Sequence, residues 1–242
     1  MNDNFTFCVF GFVRNAPQHL VCFDKFKKFF YVPSLKLEDR QEKTSSEELK
    51  KRYGTHNIEE CEIYEYDGSV FQDEVTDLGI PPIGMHYQQP ARILSFFSHL
   101  KVVSQMCINN PTTLDNDVVV LLRSDIRINK INFENITKQL EKFDVCVRGK
   151  RRSGGFCDHF FCVRKKNLNI FVNLYEAYKK YIKLFNENKL PNMKNTGPES
   201  IFRYYFDELG IGVTASNFIQ YELEHVCNKY CGCNKSKTEL LR

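Results

Sequence analysis

The sequence predicts an α/β fold in which helices flank a mostly parallel central sheet. Short apolar runs of strand length alternate with longer segments whose apolar residues recur at helical spacing. Alternation of strands with helices is typical of α/β domains. The 242 residues favour one large domain over two small ones, because a chain of this length buries about 70% of its unfolded surface.

The first predicted strand, residues 5–13, is apolar on both faces and ends in the sequence Gly-Phe-Val-Arg. Pro90 is predicted to begin a long helix, since a proline at the first helical position loses no hydrogen bond. That helix has a core face of residues at helical spacing, namely Ile93, Phe96, Phe97, Leu100, Val103 and Cys107. The other elements predicted in this half are a short helix over 20–28, a strand over 29–37, a helix over 46–52, a strand over 61–66 and a loop over 79–87.

A continuous apolar run, Val118 to Leu122, predicts a strand that is covered on both faces of the sheet. The segment 167–185 predicts an amphipathic helix, because its apolar residues lie on one side at helical spacing. A further helix is predicted over 198–209, where Gly210 follows as the residue type that commonly ends a helix. Strands are predicted over 143–147, 156–163 and 211–223.

The overall charge and the cysteines limit the classes of function. The formal net charge of +4 comes without a strong basic stripe, so we expect no nucleic-acid partner. No apolar run reaches the ~18 residues of a membrane span, and the polar residues 1–4 argue against a signal peptide. We therefore expect a cytoplasmic protein with reduced thiols. Cysteines inside apolar stretches are predicted to be buried, namely Cys8, Cys22, Cys107, Cys146 and Cys162.

The first candidate site follows the strand at 118–122, where Arg123, Asp125 and Arg127 occur in the sequence Arg-Ser-Asp-Ile-Arg. Ligands of α/β sheets gather beyond the carboxyl ends of the strands. A carboxylate there suits Mg²⁺ or Mn²⁺, which takes one or two protein carboxylates plus phosphate oxygens, and the arginines suit a diphosphate. The alternative is a surface turn whose charges pair with one another.

Two further segments carry groups that suit a phosphate. Gly11 allows close approach of a ligand to the backbone, and Arg14 follows it at the end of the first strand. Gln88 and Arg92 flank the start of the helix at Pro90, where an arginine opposes the helix dipole unless an anion is near. The alternatives are a turn glycine with a surface arginine, and a salt bridge from Arg92 to a loop carboxylate.

Asp158 and His159 stand at the head of an apolar strand, after Gly154 and Gly155. An aspartate in this position suits a general base for a substrate hydroxyl. The alternative is an aspartate that caps a turn beside a structural histidine. Glu199 lies in the first turn of a predicted helix, where the helix dipole favours a carboxylate on structural grounds alone.

Residues 225–242 are predicted as a Cys-rich, charged tail after a single domain over residues 1–224. The tail holds one histidine and three cysteines within nine residues, namely His225, Cys227, Cys231 and Cys233. Such donors suffice for a structural zinc ion, but their spacing lacks the paired Cys-x-x-Cys pattern, so zinc binding stays open.

The order of these motifs resembles a known family. A strand that ends in Gly-x-x-Arg precedes a Gln-x-x-x-Arg helix and a hydrophobic strand into Arg-Ser-Asp-Ile-Arg, and a Gly-Gly-x-x-Asp-His-Phe-Phe strand and a Gly-Pro-Glu helix follow. In this order the chain resembles the small GT-A-type glycosyltransferases that large DNA viruses of algae and amoebae, and some bacteria, encode. Their hallmark is an Arg-x-Asp version of the metal-binding Asp-x-Asp motif. The resemblance spans roughly residues 5–221.

The resemblance implies a Rossmann-like GT-A sandwich, a UDP- or GDP-linked sugar as donor, Mn²⁺ or Mg²⁺, and a carbohydrate hydroxyl as acceptor. Asp125 matches the metal-binding aspartate, and Asp158 matches the base of an inverting enzyme. A retaining enzyme would not need that base, and the sequence does not choose between them. His159 and Glu199 match the acceptor side. The donor side is matched by Gly11, Arg14, Gln88, Arg92, Arg123 and Arg127.

Arg123 replaces the first acid of the Asp-x-Asp motif, which leaves the tightness of metal binding open. A single carboxylate is a poor cation site until the diphosphate adds its oxygens. The cellular location that the resemblance implies is the cytoplasm, which for a viral protein means the host cytoplasm or the virus factory. The oligomeric state stays open.

Two other functions also stay open. A nucleotidyltransferase on a similar sheet would need a glycine-rich basic loop after the first strand, where this chain has only Gly11 and Arg14. A non-catalytic binding module would hold zinc in the tail for contact with nucleic acid or a protein partner.

Overall fold

Strands and helices alternate in the computed structural model, which describes residues 4–13, 19, 21–34, 43–79, 90–148, 156–190, 193 and 197–223. The strands are β1 (Phe5–Phe10), β2 (Lys27–Pro33), β3 (Ile58–Tyr64), β4 (Val118–Arg123), β5 (Ile126–Ile131), β6 (Val145–Val147), β7 (Phe160–Arg164), β8 (Val213–Ala215) and β9 (Ile219–Leu223). The helices are α1 (Ser46–Tyr53), α2 (Gly68–Asp77), α3 (Pro90–Asn109), α4 (Phe133–Leu140), α5 (Asn169–Asn186) and α6 (Pro198–Leu209).

A seven-stranded sheet with the order β3-β2-β1-β4-β7-β6-β8 lies at the centre of the fold. β1 is parallel to both of its neighbours, β2 and β4, and β2 is parallel to β3. β7 is antiparallel to β4 and β6, whereas β6 and β8 are parallel to each other. All strands of this sheet except β7 therefore run in one direction, and the predicted mostly parallel sheet is confirmed.

The sheet is covered on both faces, which explains why its central strands are mostly apolar. On β4, Val119 and Leu121 join a first core with α3, α5 and α6. Val118, Val120 and Leu122 join a second core with α1 and α4 on the other face. The predicted α/β sandwich with flanking helices is confirmed.

β5 and β9 form a separate two-stranded antiparallel sheet. β5 begins directly after Asp125, and its first residue, Ile126, pairs with Leu223 at the end of β9. The inward side chains of this small sheet, among them Ile128 and Tyr221, belong to the second core. The small sheet therefore covers one face of the large one beside the end of β4.

Two predicted elements are wrong. No helix is formed by the described residues of 20–28, because Lys28 lies on β2 and its Nζ donates to the carbonyl oxygens of Phe23 (2.7 Å) and Phe26 (2.9 Å). Both phenylalanines are buried in the second core, which holds this segment as an irregular turn. The predicted strand over 211–223 is two strands in different sheets, β8 and β9.

The predicted helices over 46–52 and 167–185, the helix from Pro90 and the helix before Gly210 are confirmed as α1, α5, α3 and α6. The sequence predicts neither α2, β5 nor α4.

Cys22 is exposed, so its predicted burial is wrong, whereas the other four cysteines predicted to be buried are buried. The seven cysteines within the described ranges are free thiols. The predicted loop over 79–87 lies outside the described residues beyond Gly79. None of the helices in the described ranges combines the length and the apolar character that crossing a membrane requires.

Gly210 ends α6 in the left-handed conformation, with φ 67°. A Cβ built there would meet nothing within 4 Å, so a substitution tests backbone strain alone. We expect Gly210→Ala to lower the free energy of unfolding by about 1 kcal/mol, measured by urea denaturation. Gly210→Asn is the control and should lose less, because asparagine tolerates this conformation better than alanine. Equal losses in both variants would contradict this account.

Candidate active site

One cavity opens at the carboxyl ends of β1 and β4, where Phe10 and Arg123 are paired in the parallel ladder. Its volume is about 140 Å³. Five of the predicted site residues line it, namely Gly11, Arg92, Arg123, Asp125 and Asp158. The other lining residues are Phe10, Phe12, Ser95, Phe96, His99 and Ser124. The cavity therefore collects predicted groups from four separate segments of the chain.

Ser124 connects the ends of β1 and β4. Its N–H donates to the carbonyl oxygen of Phe10 (2.9 Å), and its Oγ donates to the carbonyl oxygen of Gly11 (2.8 Å). Gly11 has φ 86°, a left-handed conformation that glycine adopts without the steric cost of a Cβ. The glycine therefore turns the chain at the end of β1, and the serine fixes the backbone between Arg123 and Asp125.

Arg123 bridges the two predicted carboxylates. Its Nε and Nη2 donate to Oδ1 and Oδ2 of Asp125 at 2.9 and 2.5 Å, and its Nη1 donates to Oδ2 of Asp158 at 2.9 Å. Bidentate pairs of arginine with carboxylate combine strength with a fixed geometry. The charges of this turn do pair with one another, as the structural alternative predicts, but they do so at the wall of a cavity.

The bridged groups are mostly buried, with Asp158 3% exposed and Asp125 8% exposed. Burial alone would lower the pKa of the Arg123 guanidinium, but the charges of Asp125 and Asp158 raise that pKa above its ordinary value. The guanidinium therefore stays charged. Arg92, which is exposed, adds a second positive charge to the lining. The lining therefore contains two arginines and two carboxylates, and their charges balance before an anionic ligand binds.

Asp158 reaches the cavity because β7 is antiparallel to β4. The N–H of Arg123 donates to the carbonyl oxygen of His159 (3.1 Å), which continues the ladder beyond the pair Leu122 and Phe160. The residues just before β7 therefore lie beside the residues at the end of β4. This pairing brings the Asp158 carboxylate to the Arg123 guanidinium.

His159 is buried and is not among the residues that line the cavity. Its Nδ1 shares a hydrogen bond with the hydroxyl of Tyr221 on β9, and its Nε2 lies 3.6 Å from Oδ1 of Asp158. Donor atoms of Cys157, Asp158 and His159 lie within 4.8 Å of one another, as a metal site would need. We assign no metal to these three residues, because Cys157 and His159 are not among the residues that line the cavity and Nδ1 of His159 is bound to Tyr221.

A second group of lining residues comes from α3 and the end of β1. The Oγ of Ser95 lies 3.2 Å from Nε2 of His99, which also shares a hydrogen bond with the hydroxyl of Tyr64. Burial lowers the pKa of His99 to about 3, so its ring is neutral. The ring of Phe12 lies 6.0 Å from that of His99. This part of the lining is therefore neutral and partly aromatic.

Sequence reasoning missed these α3 residues as site residues, although a signal is present. Ser95, Phe96 and His99 follow Arg92 by three, four and seven positions, so all four share one face of the helix. The apolar spacing predicts Phe96 only as a core residue. Because Arg92 is a predicted site residue, the residues on the same helix face, Ser95, Phe96 and His99, are the ones that the sequence would assign to the site with it.

Three predicted site residues are not among the lining residues. Arg127 lies on β5 beside buried His19, whose pKa is lowered to about 3 by burial and by the charges of Arg52 and Arg127. His159 lies next to Asp158, and Glu199 lies in the first turn of α6. Donor contact by Arg127, and acceptor contact by His159 and Glu199, stay predictions.

Other predicted groups lie outside the described residues. They are Arg14 and Gln88 on the donor side, and His225, Cys227, Cys231 and Cys233 of the tail. Their assignment to the donor or to zinc stays a prediction. The same holds for the boundary between a domain over 1–224 and a tail over 225–242.

No protein-family model matches the sequence, and no curated protein matches it. Among solved structures, the chain is similar to mouse xyloside xylosyltransferase 1 in its apo form, with 12% identity, a TM-score of 0.42, and coverage of 88% of this chain and 84% of that chain. It is also similar to an active-site mutant of LgtC, with 12% identity, a TM-score of 0.43, and coverage of 79% of this chain and 62% of that chain. Similarity at this level does not assign an activity.

Removal of Arg123 tests the bridge. We expect Arg123→Met to lower the free energy of unfolding at pH 7 by about 3 kcal/mol or more, because two buried carboxylates lose the guanidinium between them. Arg92→Met removes the same charge from an exposed position and should cost less than about 1 kcal/mol. Urea denaturation measures both. The double variant with Arg123→Met and Asp125→Asn should lose less free energy of unfolding than the two single variants lose together. A loss equal to that sum would argue against the bridge.

Proposed function

We propose that this protein is a metal-assisted glycosyltransferase, which moves a sugar from a UDP- or GDP-linked donor to a hydroxyl of a carbohydrate acceptor. The observation that carries the proposal is the bridge from Arg123 to Asp125 and Asp158 at the carboxyl edge of a mostly parallel sheet. It brings to one cavity the two carboxylates to which we assign the roles of cation ligand and base. The order of the sequence motifs, which resembles that of GT-A-type glycosyltransferases, supports the same function.

The donor is proposed to bind along Gly11 and α3. The turn at Gly11 leaves space beside the backbone, since a Cβ there would meet nothing within 4 Å. Arg92 is exposed at the cavity and carries a guanidinium that suits a phosphate. The neutral surface of Phe12, Ser95 and His99 suits a planar ring with hydrogen-bonding edges. The cavity of about 140 Å³ is smaller than the ~300–1,000 Å³ of typical ligand sites, so we assign it to one part of the donor.

The charges of the lining residues support a divalent cation. A diphosphate would add negative charge to a lining whose arginines and carboxylates already balance, and Mg²⁺ or Mn²⁺ would offset that charge. We propose that Asp125 holds the cation. Phosphate oxygens of the donor would complete the coordination. The chemistry that a bound cation supplies is stabilisation of negative charge on the leaving diphosphate.

Asp158 is proposed as the general base. The acceptor oxygen forms a bond to the anomeric carbon of the sugar, the bond from that carbon to the diphosphate breaks, and the hydroxyl proton passes to Asp158. Arg123 donates to Oδ2 of Asp158 at 2.9 Å, which orients the carboxylate before the acceptor binds. A base that assists direct attack in this way implies inversion at the anomeric carbon.

A thermal-shift panel of UDP- and GDP-sugars, with and without Mn²⁺, tests the donor and the cation. At 100 times its dissociation constant, the matching donor should stabilise the wild-type protein by about 2.7 kcal/mol. Asp125→Ala should lose the part of this shift that depends on Mn²⁺. Asp115→Ala is the matched control, because Asp115 is exposed and precedes β4 at the opposite edge of the sheet. A panel without any shift would contradict the proposal and favour a non-catalytic binding module.

Asp158→Asn separates base catalysis from donor binding. We expect turnover, measured as release of nucleoside diphosphate in the presence of acceptor saccharides, to fall by about 100-fold or more. The thermal shift with donor should persist. Asp115→Asn makes the same chemical change at an exposed position and should keep wild-type turnover. If Asp158→Asn also keeps it, or if the product retains the anomeric configuration of the donor, Asp158 is not the base.

A further inference from the structure

The ring of His159 lies between Asp158 and β9. Its Nε2 is 3.6 Å from Oδ1 of Asp158, and its Nδ1 shares a hydrogen bond with the hydroxyl of Tyr221. All three side chains are buried. A neutral imidazole carries its hydrogen on one nitrogen only. The direction of the bond between His159 and Tyr221 therefore decides what His159 presents to Asp158.

The contacts of the Tyr221 hydroxyl favour one direction. The guanidinium of Arg148 lies over the ring of Tyr221, 4.4 Å from its centroid, and a guanidinium offers no acceptor for the hydroxyl proton. Burial and neighbouring Cys157 raise the pKa of Tyr221, so the hydroxyl keeps its proton. That proton has two acceptors in reach, Nδ1 of His159 and Sγ of Cys157 at 3.5 Å, and sulfur is the weaker acceptor. Donation from Tyr221 to Nδ1 is therefore the favoured direction, and it places the hydrogen of a neutral His159 on Nε2.

We propose that Tyr221 is a positioning residue, which fixes the Nε2–H tautomer of His159 and thereby orients Oδ1 of Asp158. The proposal rests on the proposed role of Asp158 as the base. Arg123 donates to Oδ2 of the same carboxylate, so the two oxygens are oriented from two sides. The separation of 3.6 Å is longer than a formed hydrogen bond, and contacts of this kind often shorten when the substrate binds.

The other tautomer would reverse the interaction with Asp158. With the hydrogen on Nδ1, the lone pair of Nε2 would face the lone pairs of Oδ1 and repel the carboxylate from its place. Histidines of catalytic triads show how much this choice matters, because holding the wrong tautomer there lowers turnover by orders of magnitude. A single phenol hydroxyl on β9 thus controls the position of a carboxylate that it does not touch.

Tyr221 is itself held by two other elements. The guanidinium of Arg148 lies 4.4 Å from the centroid of its ring, a cation–π contact from the residue that follows β6. On β9, Tyr221 pairs with Ile128 of β5. The series Arg148, Tyr221, His159 and Asp158 therefore joins β6, β9 and the start of β7 at one edge of the site.

Nitrogen NMR of the histidine rings tests the tautomer directly and needs no substrate. In the wild-type protein, long-range proton–nitrogen spectra should show the hydrogen of His159 on Nε2, with the signals assigned by their loss in His159→Gln. In Tyr221→Phe the signals should move toward the Nδ1–H form or a mixture. Tyr178→Phe is the matched control, because Tyr178 is buried in the first core and does not line the cavity. It should leave the spectrum of His159 unchanged.

Turnover provides a second readout. We expect Tyr221→Phe to lower kcat by about 10-fold, less than loss of the base itself, and to leave the KM for the donor unchanged. Tyr178→Phe should keep both values.

Three results would overturn the proposal: an Nδ1–H or doubly protonated His159 in the wild-type protein, an unchanged tautomer in Tyr221→Phe, or an unchanged kcat in that variant. A wild-type protein that transfers no sugar would instead contradict the proposed function. The spectra of the wild-type protein and of Tyr221→Phe would still decide whether Tyr221 controls His159, so the two failures are distinguishable.

Discussion

The guanidinium of Arg123 determines the geometry of the site. It is held between Asp125 and Asp158 and donates three hydrogen bonds to them. A lysine could not replace it, because an ammonium group lacks the planar fork that binds one carboxylate with two parallel bonds and still reaches a second. The two carboxylates to which we give different roles are therefore held at a fixed separation by one side chain.

The direction of β7 is the constraint that makes this bridge possible. β4 ends at the cavity, and β7, being antiparallel to β4, begins there. In a sheet with β7 reversed, Asp158 and His159 would lie at the opposite edge, about the length of β4 away from Arg123. The parallel pair of β1 and β4 contributes Gly11 and Ser124 to the same edge. The mixed sheet thus brings strand ends and a strand start together.

The sequence predicts those features that a local pattern contains. An apolar run followed by charges places Arg123 and Asp125 at a strand end, and apolar spacing identifies α3 and α5. The bridge to Asp158 depends on strand direction, and the contact of His159 with Tyr221 depends on the division of 211–223 between two sheets. Neither is present in a local window. Arg127 follows Asp125 by only two residues, but it lies on the separate small sheet. It therefore lies beside His19 and is not among the residues that line the cavity.

The start of β1 and the end of β9 lie at opposite edges of the large sheet. Asn4 precedes β1, and its carbonyl oxygen accepts from the N–H of Val118 at the start of β4. Leu223 pairs with Ile126, the residue after Asp125. The start of β1 therefore lies about 20 Å from the cavity edge, the length of six residues of strand. The end of β9 lies beside that edge, so a bulky label attached at Asn4 leaves the cavity more accessible than one attached at Leu223.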